Sequence, residues 1–223
     1  MYNAKMLSNP HNRRRFLKST SLGAATLLSA QTLSKSQDTA PQKITNSIGV
    51  STYSYWGFRR AEFRPIEKCL DIAAEQGFEG VEILQVQMED FRPSYLQKIK
   101  KHAFLNGLAL MGFSTHQDFV DPDPRKRRHN VEQTIFYINQ AHELGIPTIR
   151  INTGRWNTSK NFDHLMANRG IEPVLDGYTE KEGYNWVIDS IGKLVGEAEK
   201  SGVILGLERS EEHTSELQSP VTI

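Results

Sequence analysis

Polar side chains gather where apolar runs end, and their types suit an oxygen-rich small molecule. Ser114-Thr115-His116-Gln117-Asp118 follows the apolar run 108–113, and Glu208 closes the run 203–208. Arg150 and Asn152 lie within the run 148–152, with Thr153, Gly154, Arg155 and Trp156 directly after it. An imidazole in such a place can bind a metal or a sugar hydroxyl, or simply bond loop backbone; both readings of His116 stand. Arg150 and Asn152 share one strand face by the period of two. On a strand buried from both sides these groups need partners, either each other and a nearby carboxylate or a bound ligand. The stretch from Asn152 to Trp156 combines hydrogen-bonding groups, a glycine turn and an apolar ring face, which suits a polyhydroxylated ring or chain. His116, Arg150, Asn152, Arg155 and Trp156 are therefore the substrate-binding candidates. Glu82, inside the run 80–84, is read as the structural partner of Arg150 or of another cation.

The elements that must position these residues follow a rhythm. Apolar runs at 48–53, 80–84, 108–113, 148–152 and 203–208 read as strands. Helical spacing of apolar residues fills 64–76, 93–106, 125–144 and 184–201. Gln76-Gly77-Phe78, Asn106-Gly107-Leu108, Leu144-Gly145-Ile146 and Ser201-Gly202-Val203 each put a glycine where a helix must end before a strand. Such alternation implies parallel strands joined by right-handed crossovers. An open doubly wound sheet would carry a glycine-rich phosphate loop after an early strand. The first strand instead leads into the bulky Tyr53-Ser54-Tyr55-Trp56-Gly57. A closed barrel of about eight strand–helix units predicts polar residues at the carboxyl ends of several strands, converging on one face. The expected fold is therefore α/β, a (β/α)8 TIM barrel represented by about its first five units over residues 41–208.

Composition excludes several classes. The 223 residues are 38% hydrophobic and 24% charged, enough for one sizeable core, and the net charge is +1. No basic stripe suggests nucleic acid. Arg125-Lys126-Arg127-Arg128 opens a helix and reads as a solvated face rather than a phosphate site. One cysteine, Cys69, rules out an internal disulfide and falls at a buried helical position.

Both ends of the chain read differently from its middle. Residues 1–37 contain no acidic residue, and Arg13-Arg14-Arg15-Phe16-Leu17-Lys18 precedes a short apolar stretch ending near Ala30. That stretch is shorter than the ~20 residues a membrane span needs. The pattern resembles a twin-arginine export signal, so residues 1–40 are expected to be signal and linker, with the twin-arginine export machinery as partner and a periplasmic location. The polar run from Arg209 to Ser219 has no structural period and matches the translation of a common sequencing-library adapter. Residues 209–223 are therefore expected to be a non-native tail, with the natural gene continuing differently after Glu208. Genomic reads passing through the tail to a native stop codon would sink that expectation. A barrel cut after its fifth strand exposes two sheet edges and is expected to be insoluble or inactive.

Four stretches carry a resemblance to the sugar phosphate isomerase/epimerase family with its xylose isomerase-like barrel. They are Gly77-Phe78-Glu79-Gly80-Val81-Glu82-Ile83, Ser114-Thr115-His116-Gln117-Asp118-Phe119, the run from Leu144 to Gly154, and Gly202-Val203-Ile204-Leu205-Gly206-Leu207-Glu208. The resemblance implies a divalent metal (Mn, Mg, Co or Zn) held by Glu, Asp, His and Glu from the last four barrel strands. Glu208 matches the first of these, as metal ligand and catalytic acid/base; the chain carries no counterpart of the others. The implied activity is isomerisation or epimerisation of a sugar or sugar phosphate by proton transfer through an enediolate, in which a metal stabilises the developing charge. A non-catalytic carbohydrate- or protein-binding barrel and a related polyol lyase are the alternatives. A neighbouring family that cleaves DNA at abasic sites shares the barrel, but the second strand lacks the histidine its zinc site needs.

Overall fold

A computed structural model describes residues 47–208; the expected leader at 1–40 and the expected tail at 209–223 lie outside the described residues. Five strands, β1 (Gly49–Ser51), β2 (Gly80–Leu84), β3 (Ala109–Ser114), β4 (Thr148–Asn152) and β5 (Ile204–Glu208), form one sheet in the order β1-β2-β3-β4-β5. Every neighbouring pair is parallel. The order never reverses, so right-handed crossovers place successive helices on the same side of the sheet. That is the winding of a barrel and excludes the doubly wound alternative.

The helices are α1 (Tyr53–Trp56), α2 (Ile66–Glu75), α3 (Pro93–Asn106), α4 (Pro124–Leu144), α5 (Phe162–Ala167) and α6 (Glu180–Ser201). In α2 the residues Ile66, Cys69, Leu70 and Ala73 fall on one helical stripe and are fully buried. Ile66, Leu70 and Ala73 join one core with a strand face of Val81, Ile83, Phe113, Ile149 and Ile151, each 0% exposed. Burying one such side chain contributes about 1.5–3 kcal/mol, so this layer holds the fold together. The four helix-to-strand glycines have φ of +85° (Gly77), +72° (Gly107), +72° (Gly145) and +65° (Gly202), the left-handed closure the sequence predicts.

Element boundaries shift by one to four residues from the sequence expectation, and two of the shifts have a visible cause. The first strand ends at Ser51 rather than at residue 53, because buried Thr52 turns the chain. The Thr52 amide donates to the Glu82 carbonyl at 2.9 Å, and its hydroxyl accepts from the Leu84 amide at 2.9 Å. Helix α6 starts four residues before the expected 184, at Glu180. The cause is a capping box in which Thr179 and Glu182 satisfy each other's amides, a Thr-x-x-Glu signal that the apolar period alone overlooks.

The other face of the sheet has a different content. Register aligns Ser51 with Glu82, Glu82 with Gly112, Ser114 with Arg150, Arg150 with Gly206 and Asn152 with Glu208. An irregularity between Val81 and Glu82 leaves Met111 outside the pairing. Its sulfur lies where a Cβ on Gly49 or Gly80 would stand, 1.9 and 2.7 Å away, so Met111 covers the amino end of this face.

Candidate functional site

The carboxyl ends of β3, β4 and β5 bring three residues into direct contact. The Arg150 guanidinium donates through Nη1 to Glu208 Oε2 and through Nε to Ser114 Oγ at 3.0 Å. Glu208 is not opposite Arg150 but one step along the same face, and the residue between them is Gly206. A long side chain on one strand reaches such a diagonal neighbour. Glu82, expected as a structural partner of Arg150 or of another cation, does not pair with Arg150: the guanidinium faces β5 and Ser114. The misassignment has a plain cause, since strand parity shows which face a residue occupies but not the register of a distant strand.

His116 stands beside this pair. Its ring keeps an open side toward solvent, yet the protein packed around the rest disfavours the imidazolium and pushes its pKa down. The positive charge of Arg150 acts in the same direction, and the negative charge of Glu208 opposes it.

Asn152 is committed elsewhere. Its side-chain oxygen accepts from the Gln117 amide at 2.8 Å, and its own amide donates to Gln117 Oε1 at 3.0 Å. Gln117 donates onward to Thr115 Oγ1 at 2.6 Å, and that hydroxyl donates to the Arg150 carbonyl at 2.7 Å. The three side chains extend the β3–β4 pairing past the last ladder bond. They hold Arg150 from its backbone while Ser114 holds it from its side chain. Ser114 and Gln117 are thus site residues that attention to charge and histidine missed. Ser114 sits on the Arg150 face by parity, which was the available signal.

Arg155 and Trp156 lie on the wall of a cavity of about 670 Å³ that also reaches Glu208. Ile171, Glu172 and Tyr184 complete much of its rim. The Trp156 ring packs on α6 at Gly183, where a Cβ would stand 2.7 Å from Cζ2, and meets Trp186 edge-on at 5.9 Å. Trp186 is in turn covered by the Arg127 guanidinium at 4.8 Å, so that member of the basic run is not simply solvated. Gly154 brings the loop close to β3. Its φ is +86°, and a Cβ there would lie 2.8 Å from the Asp118 backbone. Asp118 receives the Asn157 side-chain amide at 3.0 Å, while its Oδ1 is buried without a hydrogen-bond partner among the described residues. Burial pushes the Asp118 carboxyl pKa up, with Arg155 and Asn157 pulling against it.

For a divalent cation, Glu208 is a fitting donor. It is a hard carboxylate at a strand's carboxyl end, its side chain is 44% exposed, and among the described residues one of its oxygens is engaged, by Arg150. Among the described residues no cluster of three or more His, Cys, Asp or Glu stands ready for a metal.

Residues 70–218 match the family described as xylose isomerase-like TIM barrel. The chain belongs to this family. Solved structures with the same fold include a D-psicose 3-epimerase with D-tagatose from Clostridium cellulolyticum H10, at 18% identity and a TM-score of 0.54, over 71% of this chain and 50% of that one. An L-ribulose 3-epimerase aligns at 17% identity and a TM-score of 0.55, over 75% of this chain and 51% of the other. A D-psicose 3-epimerase determined in the presence of D-fructose gives 18% identity and a TM-score of 0.55, over 70% and 50%. The chain thus spans about half the length of these solved structures. Among curated proteins, none matches the sequence.

Proposed function

We propose that the complete gene product is a metal-dependent sugar isomerase or epimerase, with Glu208 as one metal ligand and proton-transfer group. The observation that carries this reading is the placement of Glu208 at the carboxyl end of β5, held by Arg150 beside His116, in a barrel of this family. The carboxyl ends of barrel strands are where such folds build their sites. The sugar epimerase names among structures of the same fold support the reaction class.

Glu208, Arg150 and Ser114 supply a fixed carboxylate and a fixed cation on one wall. His116, with its charged form disfavoured, offers a neutral imidazole that can accept a hydroxyl hydrogen bond. Arg155 and the Trp156 ring edge the adjoining cavity, where a guanidinium can bond hydroxyls and an indole can cover the apolar face of a sugar ring. A divalent cation, when bound at Glu208, would stabilise the negative charge that develops as a proton leaves the carbon beside a carbonyl. We also propose export through the twin-arginine route, on the strength of the basic run at Arg13–Arg15 and the short apolar stretch after it.

The test is to incubate the complete gene product, as genomic DNA encodes it, with a panel of ketoses and Mn2+, Mg2+, Co2+ or Zn2+, and to separate the sugars by chromatography. The expected result is a new epimer or isomer, lost on chelation and with Glu208→Gln. Sugar binding with no conversion under any metal would instead establish a carbohydrate-binding barrel.

A further inference from the structure

Helix α6 contains three glycines, Gly183, Gly192 and Gly196, and their surroundings differ. Glycine in a helix interior is less stable than alanine, because its backbone has more freedom to lose on folding. At Gly192 and Gly196 a Cβ would meet nothing within 4 Å among the described residues, so helix propensity alone separates glycine from alanine there. Gly183 is buried, and a Cβ on it would stand 2.7 Å from Trp156 Cζ2, 3.1 Å from Cη2 and 3.5 Å from Cε2. Carbon atoms pack best at about 3.5–4.0 Å, so the first of these approaches is a clash. The indole of Trp156 occupies the volume that a side chain at 183 would need.

Trp156 has little room to withdraw. Trp186 meets it edge-on at 5.9 Å, and Trp186 is itself held by Tyr178 at 5.5 Å and by the Arg127 guanidinium at 4.8 Å. Trp156 and Gly183 line the cavity of about 670 Å³, while Trp186, Tyr178 and Arg127 stand outside its lining. The chain on either side of Trp156 is anchored as well. Gly154 approaches the Asp118 backbone, and the Asn157 side-chain amide donates to Asp118 Oδ2 at 3.0 Å. A ring fixed at its root and backed by an aromatic stack yields to an added methyl group in one direction, into the cavity.

We propose that Gly183 is a positioning residue: by leaving its Cβ volume to Trp156 it seats the indole against α6 and keeps the cavity wide enough for a sugar ring to lie on that indole. The inference rests on the sugar-binding reading above. The ligand it implies presents an apolar face of C–H groups, which an aromatic ring can cover. Two roles for Gly183 predict opposite signs. As an ordinary helix residue, its replacement by alanine stabilises the protein, as at 192 and 196. As the seat of Trp156, its replacement destabilises, and removing the indole restores the ordinary sign.

The experiment uses the complete gene product and its Gly183→Ala, Gly192→Ala, Gly196→Ala, Trp156→Ala and Gly183→Ala/Trp156→Ala variants. Thermal unfolding comes first, without ligand. Gly192→Ala and Gly196→Ala should each raise the melting temperature by about 1–3 °C. Gly183→Ala should lower it, yet raise it when added to Trp156→Ala. Kinetics follow with the ketose that the panel above shows to be converted; calorimetric binding of a ketose replaces KM if the protein binds without converting. Gly183→Ala should raise KM about 10-fold, the order of effect of one methylene in a tight pocket, with a smaller fall in kcat. A variant that is merely less folded loses kcat and keeps its KM. A Gly183→Ala protein that melts above wild type, or that keeps the wild-type KM, would overturn the proposal while leaving the sugar-binding reading intact. Should Trp156→Ala fail to fold, the comparison of the three glycines and the KM of Gly183→Ala decide alone. Wild-type protein that neither binds nor converts any ketose would overturn both readings together.

Discussion

The two faces of the five-stranded sheet are made from alternate residues of the same strands, yet they do different work. The helix-side face is Val81, Ile83, Phe113, Ile149 and Ile151, with no exposed surface and no polar group among them. The barrel-side face carries Glu82, Ser114, Arg150, Asn152 and Glu208, with Gly112 and Gly206 between them. The first face is held by packing that any well-fitting apolar set can supply. The second is held by specific bonds, Ser114 to Arg150 to Glu208 and Thr115 to Gln117 to Asn152, each of which fails if one partner changes. Apolar packing and polar bonding are thereby separated by one step of strand parity.

This contrast can be broken most forcefully on the helix side. Phe113→Ala should cost about 3–5 kcal/mol, since it opens a cavity in a close-packed core. Urea denaturation of the complete gene product measures it, and a loss under 1 kcal/mol would mean that the core is not centred there. On the barrel side, Gln117→Ala strips partners from the Asn152 backbone amide and the Thr115 hydroxyl, for an expected loss of about 1–3 kcal/mol in the same assay.

A pair of glycines sharpens the comparison further. At Gly145 nothing lies within 4 Å of a new Cβ, so Gly145→Ala should cost only the left-handed strain of about 1–2 kcal/mol. Gly154→Ala adds a clash with the Asp118 backbone to the same strain and should lower the melting temperature more. Equal melting temperatures would show that the loop after β4 can move off β3.

The smallest effect concerns pH. Burial raises the folded pKa of Asp118, so its neutral form is favoured in the folded state. That contribution is fully present below the unfolded carboxyl pKa of about 3.9 and is lost as pH rises through the raised folded pKa. The stability of Asp118→Asn relative to wild type should therefore improve as pH rises from 4 toward neutrality. A difference that stays flat over that range would remove Asp118 from the account.

Much of this architecture was legible before any coordinates. Apolar runs bounded by Gly77, Gly107, Gly145 and Gly202 gave the strand–helix alternation, because a left-handed helix end leaves a local mark in sequence. The absence of a phosphate loop after β1 then pointed to a barrel. Glu208, Arg150 and His116 were visible as polar residues at strand ends. Their mutual arrangement was not, because Arg150 and Glu208 are 58 positions apart and only register joins them. The pairing of Asn152 with Gln117 was hidden for the same reason. Trp156 read as a ligand platform; its packing on Gly183 depends on a long connection whose path no periodicity describes.

The central claim is that the polar face abstracts a proton from the carbon beside a sugar carbonyl, with Glu208 at its centre. The most direct test is NMR detection of solvent deuterium entering that carbon when the complete gene product is incubated with Mn2+ and ketoses in D2O. The account predicts deuterium in at least one ketose with the wild-type protein and none with Glu208→Gln. Metal-loaded, folded protein that leaves every ketose unlabelled, or a Glu208→Gln variant that labels as fast as wild type, would contradict it.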